Sequence, residues 1–283
     1  MKSQGQDTWH EDSVSLTATP LGKLFAPIFN FIIDTATVAE LEARKLHHDP
    51  TELLTRAVQP ALWLLIFGEV LSQIRAIPTG KISYMDFMTP GILAQSVLFI
   101  AIFSGIAVIW ERDLGILHKM LASPAPRAAL ISGKALSAGE RGLSQAAIVY
   151  LLALCLAVDI KWSLPAIVGV VFVVILGSAL FSTFSLIVSC LVRTRERFMG
   201  VGQLLTMPFF FASNAIYPIS IMPRWLQAIS RVNPLTYEVD ALRGLMVIGG
   251  VSVYGIPVDV GVLLASTAVL VIIASRLYPR VVV

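Results

Sequence analysis

The composition of the chain is that of a membrane protein. Its 283 residues are 56% hydrophobic and only 14% charged, whereas about a quarter of the residues in a soluble domain are charged. The net charge of +3 is small, and the basic residues are scattered between apolar runs, which excludes an obvious nucleic-acid-binding tract. The two cysteines, Cys155 and Cys190, lie within apolar runs and indicate neither a disulfide framework nor a zinc site. The expected fold class is an all-α integral membrane protein.

The first 55 residues are not apolar enough to cross a bilayer. Residues 1–24 are polar and without a period, and we expect them to form a mobile cytoplasmic tail. Residues 27–55 place apolar side chains at helical spacing among charged ones, which predicts an amphipathic helix in the membrane interface. No linker or internal repeat divides the rest, so residues 25–283 are expected to form a single transmembrane domain.

Six apolar runs are long enough to cross a hydrocarbon core of about 30 Å, which requires about 20 residues. They cover residues 57–75, 89–110, 138–158, 165–191, 198–217 and 257–277. If both termini are cytoplasmic, most of the 21 Lys and Arg residues fall in cytoplasmic segments, as the positive-inside rule requires. The connection between the second and third spans is then cytoplasmic.

That connection, residues 111–134, is charged and has an amphipathic beginning. Glu111 and Asp113 are acidic residues of the kind favoured near a helix start, and leucines follow at helical spacing. A residue that precedes proline avoids helical geometry, so the predicted helix ends before Pro124. Such a helix can lie on the bilayer, dock into a groove of a partner protein or serve as a solvated connector.

Two segments resemble the ABC-2 type transporter permeases. The first combines Glu111-Arg112, Gly115, a leucine-rich turn, Ser123-Pro124, Arg127 and Gly133-Lys134, and is similar to the loop after the second span in that family. The second, residues 233–246 (NPLTYEVDALRGLM), resembles the segment before the last span in the drug-efflux, daunorubicin-resistance-like branch.

The resemblance implies that a separate ABC ATPase subunit receives the helix after the second span. The residues expected to make this contact are Glu111, Arg112, Asp113, Leu114, Leu117, Met120, Leu121 and Arg127.

The chain itself carries no phosphate-binding loop of the form G-x-x-x-x-G-K-[ST]. Gly133-Lys134 is followed by Ala135, and Gly80-Lys81 fails in the same way. We therefore expect no catalytic, cofactor or metal site on this chain, with ATP and Mg²⁺ bound by the partner. Two ATPase copies and a second permease copy are expected, because six spans are few for enclosing a path. A homodimer or a pair with a similar subunit both remain open.

The connection between the last two spans, residues 218–256, contains two short apolar patterns that each begin near a proline. Neither is long enough to span. The family resemblance implies a pair of re-entrant helices here. Within the second pattern, Asp240 and Arg243 stand at i, i+3 spacing and are expected to form a local ion pair.

Polar side chains within two spans are candidates for lining a transport path, because such groups usually face the bundle interior or water. At 100° per residue, those of the first span fall on a narrow arc. Glu69 also lies near the end of its span, where it can simply reach the interface, and span phenylalanines often face the core or lipid. The candidates are Gln59, Trp63, Glu69, Gln73, Gln203, Thr206, Phe210 and Asn214.

The function expected from these features is ATP-driven export of an amphipathic, drug-like or lipid-like molecule across the cell membrane. Permeases for polysaccharide or glycolipid export have the same layout and stay open as an alternative. A secondary transporter driven by an ion gradient would need a buried ionisable relay or broken helices in matched halves, and only Glu69 hints at one.

Overall fold

The computed structural model describes residues 58–74, 77–80, 82–116, 127–192 and 194–278. The expected tail (1–24) and interfacial helix (27–55) lie outside the described residues. Within the described ranges the regular structure is helical, apart from an antiparallel bridge between Ile160 and Val247. The all-α prediction is confirmed.

The first described helix, α1 (residues 58–74), is not a uniform α-helix. Its middle part, Trp63–Gly68, is a π-helix, and the α-helical end covers Glu69–Ile74. A π turn closes i→i+5 hydrogen bonds, so each residue advances by less than 100°. The narrow arc predicted for the polar side chains of this helix therefore does not hold across the π segment. A side chain at Gly68 would come within 2.8 Å of the sulfur of Met85, so glycine allows α1 to approach its neighbour closely.

The second predicted span is one long helical stretch, Tyr84–Asp113, with a single turn residue at Ser104 whose dihedral angles remain helical. We name its two parts α2 (Tyr84–Phe103) and α3 (Gly105–Asp113). The first begins earlier than the predicted residue 89, because Ser83 and Asp86 form a capping box that fixes its start. The second continues through Glu111 to Asp113, where the sequence had predicted a new helix to begin. The acidic residues therefore lie at a helix C-terminus, which is electrostatically unfavourable unless cations are near.

The longest helices are α4 (Arg127–Cys155) and α5 (Leu164–Leu191), followed by α6 (Arg195–Phe211). The α4 helix starts well before the predicted span, and α6 ends before the predicted residue 217. The α5 helix is central, since it packs against α2, α4 and the two helices that end the chain. Small residues allow these contacts: Gly142 of α4 meets Ser178, and Gly177 meets the carboxyl group of Glu238.

A hairpin of short helices, α7 (Arg224–Val232) and α8 (Pro234–Met246), precedes the final helix α9 (Ile256–Leu277). Asn233 joins the two short helices: its Oδ1 accepts from the N–H of Leu235 at 3.0 Å, and its amide donates to the carbonyl of Phe209 at 2.7 Å. The C-terminal end of α8 pairs with the α4–α5 loop through the bridge at Val247.

Three described stretches are long and apolar enough to cross a membrane: Tyr84–Asp113, Leu164–Leu191 and Ile256–Leu277. They correspond to the second, fourth and sixth predicted spans.

Candidate functional site

The C-terminal end of α3, which we call the α3 tip (Trp110–Leu114), is held by charged contacts to two other helices. Glu111 Oε2 lies 2.6 Å from Lys134 Nζ of α4, and the two side chains are only 7% and 11% exposed. A buried ion pair of this kind couples its helices strongly, because removing one partner leaves a charge in a poorly hydrated place. The cation also offsets the unfavourable position of Glu111 at a helix C-terminus.

The second contact of the α3 tip is with the start of α6. Arg195 donates to Asp113 Oδ2 at 3.0 Å, and its guanidinium group lies over the ring of Trp110, 3.4 Å from the ring centroid. Arg112 also donates to Asp113, at 3.2 Å. These groups are exposed to solvent, which screens each pair, so each contributes little to stability. Together they orient the tip between α4 and α6.

The other end of α3 is fixed where it meets α2. Ser185 of α5 accepts a hydrogen bond from the N–H of Gly105 at 3.1 Å and donates to the carbonyl of Ile102. A side chain at Gly105 would overlap Ser185 and Phe198, so glycine is required for this close approach. Both ends of α3 are therefore in contact with other helices: α4 and α6 at the tip, and α5 at Gly105.

Apolar side chains protrude from the α3 tip despite its charges. Leu114 is 66% exposed, and Trp110 and Ile116 are also exposed. Gly115 between them has φ +70°, a conformation that favours glycine and that ends the helix. Exposed apolar groups beside a charged cluster are typical of a surface that binds a partner protein.

The structure places the expected ATPase-contact residues only in part. Glu111, Arg112, Asp113 and Leu114 form the α3 tip. Leu117, Met120 and Leu121 lie outside the described residues. Arg127 is the first residue of α4, and its side chain is not described. Sequence reasoning missed Lys134 and Arg195 as members of this site, although both are basic residues close to the ends of apolar runs.

The path candidates divide into three groups by exposure. Glu69, Gln73 and Gln203 are exposed on α1 and α6, with the Gln73 amide donating to Glu69 at 3.2 Å. Gln59 and Trp63 are half-buried. The remaining three are buried within the chain and do not line an open path there; they are Thr206, Phe210 and Asn214.

A cavity of about 300 Å³ lies between α1, α2 and α4. Its polar lining comes from Gln59, Ser96 and Gln145, and its apolar lining includes Phe99 and Phe103, whose ring centroids are 6.1 Å apart. Gln145 is buried, and its amide nitrogen has no hydrogen-bond partner. Gln145 was not among the residues predicted from the sequence to line the path. Its amide group within an apolar run was the signal that could have identified it.

A second polar cluster surrounds the C-terminal half of α8. Arg243 is buried; it donates to the carbonyls of Phe87 at 3.3 Å and Asn214 at 2.7 Å, and its guanidinium group lies 3.8 Å from the centroid of the Phe87 ring. The predicted ion pair between Asp240 and Arg243 is wrong: Asp240 accepts from the backbone N–H groups of Val253 and Tyr254 instead, at 2.6 and 3.0 Å. Arg243 thus fastens the short-helix hairpin to the start of α2.

These features define the class of the protein: a helical membrane protein in which the end of a long apolar helix, Tyr84–Asp113, is joined to neighbouring helices by ion pairs and exposes apolar groups. The sequence matches the ABC-2 type transporter family over residues 35–247, and the chain belongs to this family.

Individual relatives agree with this assignment. The chain is 28% identical to the transport permease ycf38 of Cyanophora paradoxa, over 77% of this chain and 75% of that protein. It is 26% identical to the daunorubicin resistance ABC transporter permease protein DrrB1 of Streptomyces coeruleorubidus, over 82% and 80%. It is 23% identical to the inner membrane transport permease YadH of Escherichia coli K12, over 68% and 73%.

The chain is therefore an integral membrane permease of an ABC transporter. Its family is that of the membrane permease, which lacks the ATPase, so the prediction that this chain is not itself an enzyme is confirmed. Family membership also implies an ABC ATPase as its partner.

Proposed function

We propose that the chain is the permease of an ATP-driven exporter in which the α3 tip receives movement from the ATPase. The observation that carries the proposal is that two ion pairs hold the tip: the buried Glu111–Lys134 pair joins it to α4, and the Arg195–Asp113 pair joins it to α6. Force applied at the exposed Leu114 would therefore move three helices together as a rigid body.

The proposed topology has six spans and two cytoplasmic termini, with α7 and α8 forming a re-entrant pair on the outer side. Its support is the basic residues that cluster on one side and the short lengths of α7 and α8. In this orientation the α3 tip faces the cytoplasm, where ATP is available.

A second permease copy is part of the proposal, with two ATPase copies. Glu69, Gln73 and Gln203 are exposed on helices that would lie in the membrane, and polar groups there are costly against lipid. Contact with a second copy, or with an aqueous path between two copies, would remove the free-energy cost of exposing these polar side chains to lipid. The adjacent faces of α1 and α6, joined by the contact of Trp63 with Phe210 at 5.4 Å, would form this surface.

The proposed substrate is amphipathic and drug-like or lipid-like. The α1–α2–α4 cavity offers amide groups and two phenylalanine rings, and none of its described lining residues is charged. Such a lining suits a molecule with both an apolar body and hydrogen-bonding groups. Similarity to a permease named for daunorubicin resistance supports the same class.

Transport in vesicles tests the proposal. The permease and its ATPase would be reconstituted together, and uptake of daunorubicin into inside-out vesicles measured with ATP or with a proton gradient alone. Uptake that requires ATP and falls in Gln145→Leu supports the proposal. Uptake that proceeds without ATP and collapses with the proton gradient would overturn it in favour of a secondary transporter.

The second copy is tested by cross-linking. In a background with Cys155→Ala and Cys190→Ala, a cysteine at Gln203 should give a disulfide-linked dimer, whereas one at the exposed Leu164 of α5 should not. Equal cross-linking of both positions would contradict the proposed interface.

A further inference from the structure

Two buried carboxyl groups share one serine hydroxyl where α8 meets α9. Ser252 Oγ lies 3.1 Å from Asp240 Oδ2 of α8 and 2.8 Å from Asp259 Oδ2 in the first turn of α9. Both aspartates are fully buried. We call the two aspartates the carboxyl pair. Its two acids lie on different helices, so the shared hydroxyl joins the hairpin to the last span.

If both aspartates were ionised, their two contacts with Ser252 would need two hydrogen atoms, but the serine hydroxyl group has only one. The hydroxyl of Ser252 has one hydrogen to donate and two lone pairs to accept with. One lone pair is occupied, because the N–H of Gly255 donates to Ser252 Oγ at 2.7 Å. The hydroxyl can donate to only one aspartate. The contact with the other aspartate then requires a hydrogen on that carboxyl group.

The surroundings decide which acid holds this hydrogen. Asp240 Oδ2 also accepts from the N–H groups of Val253 and Tyr254, and donors of this kind favour the ionised form of a carboxyl group. Asp259 receives no such donor, and its Oδ1 is buried without a hydrogen-bond partner. A buried carboxylate without donors is costly, so the proton belongs on Asp259. The chain of donors runs from Asp259 to Ser252 to Asp240.

No described cation takes the place of this proton. Among the described residues, no Lys or Arg side chain lies within ion-pair distance, 4.0 Å, of either acid. Arg243 donates to two carbonyls and acts on Asp240 only electrostatically, from beyond 4.0 Å, and Lys161 donates to the carbonyl of Gly244 at 3.2 Å.

The other titratable side chains on the helices and loop next to the carboxyl pair do not supply a positive charge in place of the proton either. The outer half of α5 carries no ionisable side chain. Glu238 of α8 is buried and adds no positive charge, and its carboxyl group lies against Gly177 of α5. On α4, Tyr150 contacts Trp162 and Cys155 is exposed. In the loop, Tyr254 packs on Tyr237, and burial raises the pKa of Tyr254, which stays a neutral phenol.

We propose that the carboxyl pair is a proton-binding site, in which one proton shared through Ser252 holds the end of α8 to the start of α9. Its access from the outer aqueous phase rests on the proposed topology; the bound proton does not. Loss of the proton leaves two adjacent anions on one hydroxyl, and their repulsion separates α8 from α9. The hairpin that closes the outer side would thereby loosen as the pH rises.

Thermal unfolding of the purified full-length protein at different pH values tests the site. The folded state holds a proton that an aspartate of the unfolded chain releases at about pH 4, so stability falls as the pH rises above that value until the folded state also loses the proton. The wild-type melting temperature should fall by several degrees between pH 6 and pH 9. Asp259→Asn, whose amide donates to Ser252 at every pH, should lose most of that fall. Asp159→Asn, an exposed neighbour, should keep it.

A spectroscopic measurement remains decisive if Asp259→Asn proves hard to purify at high pH. The infrared carbonyl band of a protonated carboxylic acid should be present in the wild-type protein at pH 6 and reduced in Asp259→Asn at the same pH. An equal pH dependence in Asp259→Asn and wild type, or no loss of the acid band, would overturn the proposal.

A metal ion instead of a proton is excluded by a second series. At pH 8, sodium chloride would replace choline chloride at constant ionic strength. Unchanged melting temperatures support the proton, whereas stabilisation by sodium in the wild type alone would overturn it. Neither series needs ATPase or substrate, so their failure would leave the proposed function untouched.

Discussion

Replacing Lys134 by methionine should destabilise the protein more than any comparable change at the α3 tip. The substitution removes the cation that lies 2.6 Å from Glu111, in a pair whose side chains are nearly buried. Breaking one partner of a buried pair costs about 3–5 kcal/mol. At about 2–4 °C per kcal/mol for a domain of 150–250 residues, the melting temperature should fall by roughly 6–20 °C.

The assay is thermal unfolding of the purified protein, followed by tryptophan fluorescence, with Arg195→Met as the matched control. That control breaks a solvent-screened pair and a cation–π contact, so its melting temperature should fall much less than that of Lys134→Met. The double variant Glu111→Leu, Lys134→Met should recover most of the loss, because apolar groups can replace a buried pair. A Lys134→Met variant as stable as Arg195→Met would show that the Glu111–Lys134 pair does not hold the α3 tip to α4.

Two further substitutions test the contacts that hold α3 and the hairpin. Gly105→Ala should cost about 1–3 kcal/mol because its methyl group overlaps Ser185 and Phe198; Gly200→Ala on α6, where nothing lies within 4 Å, should be neutral or stabilising by up to about 1 kcal/mol. Equal effects at the two glycines in urea or thermal unfolding would contradict the packing described. Arg243→Lys should lower the free energy of unfolding by about 1.5–3 kcal/mol, since lysine cannot reach both carbonyls. The control is Arg231→Lys, at an exposed position. Limited proteolysis should cleave the hairpin faster in Arg243→Lys than in Arg231→Lys.

The class of the protein was predictable from sequence because a long apolar run has few solutions other than a helix that crosses a membrane. The bounds of α5 and α9 agree closely with the predicted runs. The start of α2 was less accurate, because the capping box at Ser83 lies in a polar turn that hydropathy does not include.

The details of the α3 tip were not predictable from local rules. Acidic residues at Glu111 and Asp113 suggested a helix start, but the backbone continues from Gly105, and cations from α4 and α6 supply the compensation. Those partners lie on other helices, and sequence spacing carries no information on such contacts. The π segment of α1 is a similar case, since no residue pattern in Trp63–Gly68 announces it.

The polar cluster at α8 shows how tertiary contacts override a local pattern. Asp240 and Arg243 have the spacing of an ion pair, yet each finds stronger partners in the backbone of other segments. The sequence marked both residues as unusual in an apolar region. It could not indicate that Asp259 would meet Asp240 across a loop.

Recovery of the ATPase with a tagged permease measures whether the proposed ATPase partner binds at the α3 tip. After mild detergent extraction, wild type and Leu164→Asp should retain the ATPase in equal amounts, because Leu164 is exposed at the first turn of α5, about six turns before the Ser185 contact with α3. Leu114→Asp should recover at least tenfold less ATPase and should lose ATP-dependent transport. Full retention of the ATPase and of transport by Leu114→Asp would show that the ATPase does not bind at the tip.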